Sequence, residues 1–352
     1  MHKILSPNKS GSMRASIIVV NFNTWEKLEN CLASFYPYLS DQDEIIIVDN
    51  HSREQNSSHI INLFPRINYI QSDKNLGYAG GNNIGAKVAN GEFLIFLNPD
   101  TLITNTTIDE MIAPFADPLV GLTTSKILVQ NEPTIINACG NNFHISGITQ
   151  CRGINQNLSD FNSESVVFAV SGAAFSIRKE LFISLNGFDP DFFLYMEDTD
   201  LSIRARFLGY KCLFAPKSIV YHDYELRFGK NKIYYQEKNR YLLFLKNFAL
   251  KTLFLMIPVF FLSEIISWGF VLIRDNKSIK DKFRAYSWIL TNWNEIRNKR
   301  NKSKMVSDKE ILLLSEHAIN FEQVEQSMVQ KVAAIVFNPI FYVLRKFILL
   351  FI

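Results

Sequence analysis

FLIFLNPDT, residues 93–101, decides the fold. Five apolar residues in succession leave no polar face, so the segment reads as a strand covered on both sides. Asn98, Pro99 and Asp100 end it. Proline has no N–H for a further ladder bond and fixes the turn, which presents Asp100 at the carboxyl end of the strand. Upstream, ASIIVVNFN (15–23), DEIIIVDNHS (43–52) and INYIQSDKN (67–75) are similar runs that close on polar residues. Helical patterns separate them, at WEKLENCLASFYPYL (25–39) and, after a Gly-rich turn, around NNIGAKVANG (82–91). Continuous apolar strands alternating with helices predict an α/β fold whose mostly parallel sheet is flanked by helices.

In open parallel sheets ligands sit beyond the carboxyl ends of the strands. Three strands end there in Asn21 and Asn23, Asp49 and Asn50, and Asn98 and Asp100, so this edge is a candidate site. Asp49 suits either a turn or helix cap, or an acceptor for the imide of a uracil or thymine base. NLGYAGGNNIG (75–85) holds four glycines, among them Gly77, but neither the GxGxxG nor the GxxxxGK spacing. These glycines read as room for a backbone to approach a ligand, with Asn82 and Asn83 offering amides; a plain turn explains one or two of them. Asp100 fits a divalent cation bridging two phosphates, or the N-cap of a helix around NTTIDEMI (105–112).

Residues 117–170 look like irregular strands and loops. Beyond them, SIRKELFISLNG (176–187) reads as a short helix stopped by Gly187, and EDTDLSIRARFLG (197–209) as a helix stopped by Gly209. Glu197, Asp198 and Asp200 complement the dipole of the second helix. Adjacent acids also repel, however, one capping residue would suffice, and a general base for a hydroxyl nucleophile needs such a carboxylate. His222 follows the short apolar strand in APKSIVYHDYE (215–225); it is either structural or a metal ligand.

Composition is that of a globular chain, with 47% hydrophobic and 20% charged residues and a net charge of +3 over 352 residues. Residues 276–310 nevertheless hold ten Lys or Arg against four Asp or Glu. Beside them, 248–274 is long enough to span a bilayer but is interrupted by Lys251, Pro258 and Glu264. AAIVFNPIFYVLRKFILLFI (333–352) repeats the theme with Arg345 and Lys346 inside it. A solvated surface for the basic run and a pair of core helices for the apolar segments is one reading; an interfacial region held against anionic lipid is the other. Cys31, Cys139, Cys151 and Cys212 have no metal spacing and suit a reducing, cytoplasmic setting, and MHKILSPNKSGSM (1–13) reads as frayed rather than as a signal peptide.

Six segments in order (SIIVVNFNTWEKLENCLAS, IIIVDNHS, NLGYAGGNNIG, FLNPDT, VSGAAFSIRKELFISLNGFDPDFFLYMEDTDLSIRARFLGY and VYHDYE) resemble the inverting glycosyltransferases of family 2, which have the GT-A fold. NPDT and GFDPDFFLYMEDTDLSIR resemble the rhamnosyltransferase-like members. The resemblance runs from about 15 to 245. It implies a nucleotide-sugar donor, a saccharide or lipid-linked saccharide acceptor, and Mg²⁺ or Mn²⁺. By position it assigns base contact to Asp49, metal to Asp100 and His222, catalysis to Asp198 with Glu197 orienting the acceptor, and the donor-sugar pocket to Gly172 and Ala173. Asn98 stands where a full DxD motif has its first acid. The expected organisation is a flexible 1–14, a transferase unit at 15–245 and a helical membrane-associating region at 246–352. The expected location is the cytoplasmic face of an inner membrane. Nucleic acid is not expected as a partner. A nucleotidyltransferase would want an Arg- and Lys-bearing glycine loop near the first strand, and a processive synthase a QxxRW motif, which QEKNRY (236–241) does not match. A membrane-anchored binding module without catalysis is a further alternative.

Overall fold

The computed structural model describes residues 14–54, 56–224, 231–300, 303–320 and 328–352. The expectation for residues 1–13 lies outside them. Strands β1 (Ala15–Asn21), β2 (Asp43–Asp49), β3 (Ile67–Gln71) and β4 (Phe93–Leu97) run parallel in the spatial order β3-β2-β1-β4. Helices α1 (Trp25–Phe35), α2 (Ser57–Leu63) and α3 (Gly77–Val88) supply the crossovers. In β1, Ile17 and Val19 enter one apolar cluster and Ile18 the other, so both faces are covered. That is why these strands read as unbroken apolar runs. Register sets Asn21 beside Asp49 and Asp49 beside Gln71, bringing the polar strand ends to one edge.

Beyond β4 the sheet departs from the parallel expectation. After β5 (Thr101–Ile103) and α4 (Thr107–Ile112) comes a long strand β6 (Val120–Val129), then β7 (Glu132–Ala138), the β8 (Asn141–Phe143) and β9 (Thr149–Cys151) ribbon, and β10 (Ser165–Val167). β11 (Ala174–Arg178) lies antiparallel between β4 and β6, while β12 (Lys211–His222) runs parallel to β6. Of the nine pairings in this sheet four are parallel, so the sheet is mixed, with its parallel half at the strand ends of interest. Hydroxyl residues hid β6: Thr123 donates to Met111 O at 2.7 Å and Ser125 pairs with Ser218 at 2.8 Å. The predicted helix 176–187 is strand as far as Arg178 and helix only in α5 (Lys179–Ser184), because Phe175 and Ile177 fill the core between β4 and β6.

The glycine-rich segment also differs. Helix α3 starts at Gly77, so Gly81 and Gly85 lie inside it rather than in a ligand loop. A Cβ on Gly81 would stand 2.7 Å from Val20 Cγ1, and one on Gly85 2.5 Å from Ile18 Cγ2. These two glycines let the helix backbone close on the sheet.

Helix α6 (Glu197–Phe207) follows a short 3₁₀ turn, and α7 (Lys232–Asn247) crosses behind it. The C-terminal third is helical: α8 (Leu250–Leu255), α9 (Ile257–Arg274), α10 (Ile279–Thr291), α11 (Trp293–Asn298), α12 (Asp308–Leu313) and α13 (Met328–Phe351). The 248–274 segment is thus broken, with Pro258 in the first turn of α9. Glu264, awkward in an apolar helix, is matched by Arg240 at 2.5 Å and Lys282 at 3.0 Å. One apolar cluster joins Phe143, Phe192 and Phe207 to Leu243, Val259 and Phe341, so the C-terminal helices share a core with the elements that carry α6. Among the described residues one helix, Ala334–Phe351, is long and apolar enough to cross a membrane.

Candidate active site

At the β1 and β2 ends the polar residues brace one another. Asn21 Oδ1 accepts from Thr24 Oγ1 at 2.8 Å, and Asn23, at φ +58°, accepts from Arg53 N at 2.8 Å. Asp49 is buried, accepting from Ser52 N at 3.1 Å and the Tyr69 hydroxyl at 3.3 Å. Asn50 donates to Gly77 O and accepts from Leu76 N, which fixes the entry to α3. Two predicted donors are turned elsewhere. Asn83 makes a two-way clip with the Phe188 backbone, at 2.8 and 2.9 Å, and Asn82 donates to Tyr78 O of its own helix. The Asn82 Oδ1 is buried without a partner.

Asp100 and His222 meet because β12 pairs antiparallel with β5, His222 opposite Thr101. His222 Nε2 lies 3.3 Å from Asp100 Oδ1, off line for a hydrogen bond, so that buried oxygen has no hydrogen-bond partner. On the other side of the ring, Nδ1 stands 3.0 Å from Asn137 Oδ1. With the amide oxygen as acceptor, Nδ1 carries the proton, which leaves Nε2 as the nitrogen that a cation bound beside Asp100 would meet. Burial works against ionisation of Asp100, but His222 and then Lys27 outweigh it and hold the carboxyl below its usual value. An unpartnered carboxylate oxygen beside an imidazole nitrogen is a donor set that could hold a divalent cation. Among the described residues no group of three or more His, Cys, Asp or Glu could hold a metal alone.

A backbone bridge joins this pair to the acidic helix. Asn98 N donates to Ala173 O at 2.9 Å, and Gly172 N donates to Asp198 Oδ2 at 2.8 Å. Asn141 reaches the same oxygen at 3.2 Å, while Thr199 N donates to Oδ1 at 2.6 Å. Gly172 is a close approach: an added Cβ would sit 3.3 Å from Asp198 Oδ2. Glu197, next to Asp198 and equally enclosed, leaves Oε2 with no partner. Burial first, then the Asp198 charge, pushes the Glu197 carboxyl well above the usual range. Burial raises Asp198 as well, against the hydrogen bonds from Gly172 and Thr199. The surroundings therefore favour charge on Asp198, with four donors around it, over charge on Glu197.

The turn into α6 is strained. Phe193, Tyr195 and Met196 have φ of +61°, +70° and +65°, and none is glycine. Such conformations cost of order 1–3 kcal/mol each and persist where the surroundings enforce them. Sequence reasoning missed Asn137, Asn141 and Tyr78, whose hydroxyl donates to Gly172 O at 2.7 Å. The polar run NACGNN (137–142) was the available signal, but it has no spacing of its own.

Residues 16–183 match the family described as Glycosyl transferase family 2. The low-salt glycan biosynthesis hexosyltransferase Agl10 of Haloferax volcanii is 29% identical over 205 residues, covering 54% of this chain and 61% of its own length. The O-antigen biosynthesis protein RfbC of Myxococcus xanthus is 25% identical over 227 residues, covering 60% of this chain and 18% of its own. The chain thus spans less than two thirds of either relative. GalNAc-T7, solved with UDP, GalNAc and Mn²⁺, superposes with a TM-score of 0.59 at 18% identity over 82% of this chain and 58% of that one. The mannosyltransferase PcManGT of Pyrobaculum calidifontis, in complex with GDP-Man and Mn²⁺, gives 0.51 at 15% identity over 82% and 78%. These likenesses bear on the fold, a GT-A-like mixed α/β sheet. Residues 16–183 form a domain of glycosyl transferase family 2.

Proposed function

We propose that this chain is an inverting glycosyltransferase. It moves a hexose, for which the resemblance of NPDT and GFDPDFFLYMEDTDLSIR suggests L-rhamnose from dTDP-rhamnose, to a saccharide acceptor carried on a lipid, in the synthesis of a bacterial cell-surface polysaccharide or O-antigen. The observation that carries the reading is one connected edge. The Asp100–His222 pair stands at one end, and Asp198 with Glu197 at the other, joined through Asn98, Ala173 and Gly172. Asp49, oriented by Ser52 and Tyr69, is the acceptor for the base.

Asp198 takes the proton of an acceptor hydroxyl. That oxygen bonds to the anomeric carbon as the bond from this carbon to the diphosphate oxygen breaks on the opposite face. The nucleoside diphosphate leaves and the configuration inverts. A general base of this kind supplies roughly 10²–10⁴-fold in rate. Glu197, holding its proton, donates from Oε2 to orient the acceptor. Mg²⁺ or Mn²⁺ at Asp100 and His222 would supply positive charge beside the leaving diphosphate. Residues 246–352 would lay exposed apolar residues of α9 and α13 on the cytoplasmic face of the membrane, where a lipid-linked acceptor lies.

A UDP-hexose donor is the second reading, favoured by the UDP found with GalNAc-T7. Release of nucleoside diphosphate from dTDP-, UDP- and GDP-sugars, with and without Mg²⁺ or Mn²⁺, tests both beside an Asp198→Asn variant. Metal-dependent turnover of one sugar, lost in the variant, is expected. Nucleotide binding without turnover, even with lipid-linked saccharide supplied, would favour a binding module, and no binding at all would end the transferase reading.

A further inference from the structure

The strained turn before Glu197 is held from behind by one side chain. Asn239, on α7 and fully buried, donates from Nδ2 to Phe192 O at 3.0 Å, Leu194 O at 2.9 Å and Tyr195 O at 2.7 Å. Three carbonyl dipoles converging on a point repel one another and admit only the donor end of an amide. They converge in a turn where Phe193, Tyr195 and Met196 are left-handed and only Leu194 between them is not. The other side of the turn rests on α3: Ala79 N donates to Phe193 O, and a Cβ on Gly77 would fall 2.2 Å from that oxygen. The turn is therefore clamped between α3 and α7, and the next two residues are Glu197 and Asp198.

We infer that Asn239 is a positioning residue for the two carboxylates. It is fully buried and acts through the turn. By neutralising the three carbonyls it holds the left-handed turn that starts α6, and so sets the directions of Glu197 Oε2 and Asp198. The inference rests on the glycosyltransferase reading for its kinetic consequence, but its structural part stands apart from it. Asn247, eight residues along the same helix and equally buried, donates to Asp200 Oδ1 at 2.8 Å and Leu243 O at 3.0 Å. It ties α7 to α6 without touching the turn, which makes it the natural control.

The test compares Asn239→Ala and Asn239→Asp with Asn247→Ala in the full chain. Asn239→Asp keeps the shape but places an acceptor, and a charge, against three carbonyls. Both Asn239 variants are expected to lose about 100-fold or more in kcat, with the donor KM and nucleoside diphosphate binding within about threefold. The apparent pKa of the acidic limb of their kcat–pH profiles should move, because the Glu197–Asp198 geometry sets it. Asn247→Ala should lower Tm and leave that pKa in place. An Asn239→Ala enzyme whose pH profile superposes on that of the parent would make Asn239 a stabiliser of the fold and overturn the inference. Amide hydrogen exchange over 192–199 reads the clamp without any activity. It should speed up in Asn239→Ala and not in Asn247→Ala, and equal exchange in the two would also overturn the inference. A parent protein that turns over no nucleotide sugar, but whose Asn239 variants show faster exchange in this segment, would sink the function and leave the clamp.

Discussion

Asn137 decides which nitrogen of His222 faces Asp100, and it does so across 85 residues of sequence. Such an outer partner typically changes metal affinity 10–100-fold when removed. Asn137→Leu should therefore raise the Mn²⁺ concentration for half-maximal activity by about tenfold or more. An unchanged metal titration would show that the ring is oriented by other means. Glu197 makes a second prediction. In the unfolded chain its carboxyl ionises at the ordinary value, whereas burial and then Asp198 raise it in the folded state. Between those values the native state holds the extra proton, so stability falls as pH rises. Glu197→Gln removes that dependence. Its Tm should exceed that of the parent at about pH 8, and the gap should close toward about pH 4, where the unfolded glutamate also keeps its proton. A gap independent of pH would mean that Glu197 is ionised in the native protein. At this scale the acids were legible. Asp49 and Asp100 end apolar strands, and Glu197 and Asp198 crowd one helix turn, patterns that local sequence displays. Asn137, Asn141 and Asn239 were not, because their roles are made by partners 44 to 85 residues away and no spacing encodes them. Asn82 and Asn83 look available beside glycines, while here Asn82 donates to Tyr78 O and Asn83 clips the Phe188 backbone, contacts that no local spacing encodes.

At the scale of elements, the four parallel strands were legible because burial on both faces leaves an unbroken apolar signature. β6 and β11 were not: one interrupts its apolar run with hydroxyls that bond locally, and the other carries a helix-like pattern that packing overrides. Helix α3 shows the opposite failure. Its glycines read as a turn ahead of the helix, and each costs about 1 kcal/mol against alanine in a helix interior, yet the helix already starts at Gly77 and closes on β1 through Gly81 and Gly85. Two effects of opposite sign meet at Gly85. Alanine would gain about 1 kcal/mol of propensity, but its Cβ would press on Ile18 Cγ2 at 2.5 Å, and overpacking costs about 1–3 kcal/mol. The clash involves a β-branched core side chain with no space to yield, so Gly85→Ala should lower Tm. Gly209, at φ +87° with open space around its missing Cβ, should lose stability through backbone strain alone. A Gly85→Ala protein as stable as the parent would show that α3 can lift from the sheet.

For the whole molecule, the C-terminal third is both core and surface. The basic stretch at 276–310, read as either a solvated surface or a lipid-facing one, is in part internal. Lys282 is fully buried against Glu237 and Glu264, Lys299 binds Asp189 and Asp191, and Lys304 binds Asp308. The Lys282 and Lys299 pairs hold α10 and α11 to the body, the Lys304 pair closes locally at the start of α12, and a composition count cannot separate them from the exposed Lys277, Lys280 and Arg297. The apolar residues divide in the same way. Phe341 and Ile348 of α13 are buried, whereas Val343 is 62% and Leu350 76% exposed, in company with Phe254 and Phe261 at 72% and 68% on α8 and α9. Exposed apolar surface on that scale is what a bilayer interface would cover. The protein should float with vesicles containing anionic lipid, with recovery reduced but not abolished by high salt, since salt screens the lysines and leaves the apolar contact. Val343→Asp with Leu350→Asp should abolish flotation while Tm holds, because neither side chain fills the core. Alkaline carbonate then separates the two ways of meeting the membrane. Release would mean that α13 lies on the surface, and retention that it crosses. Flotation unaffected by the double substitution would move the contact away from α13 altogether.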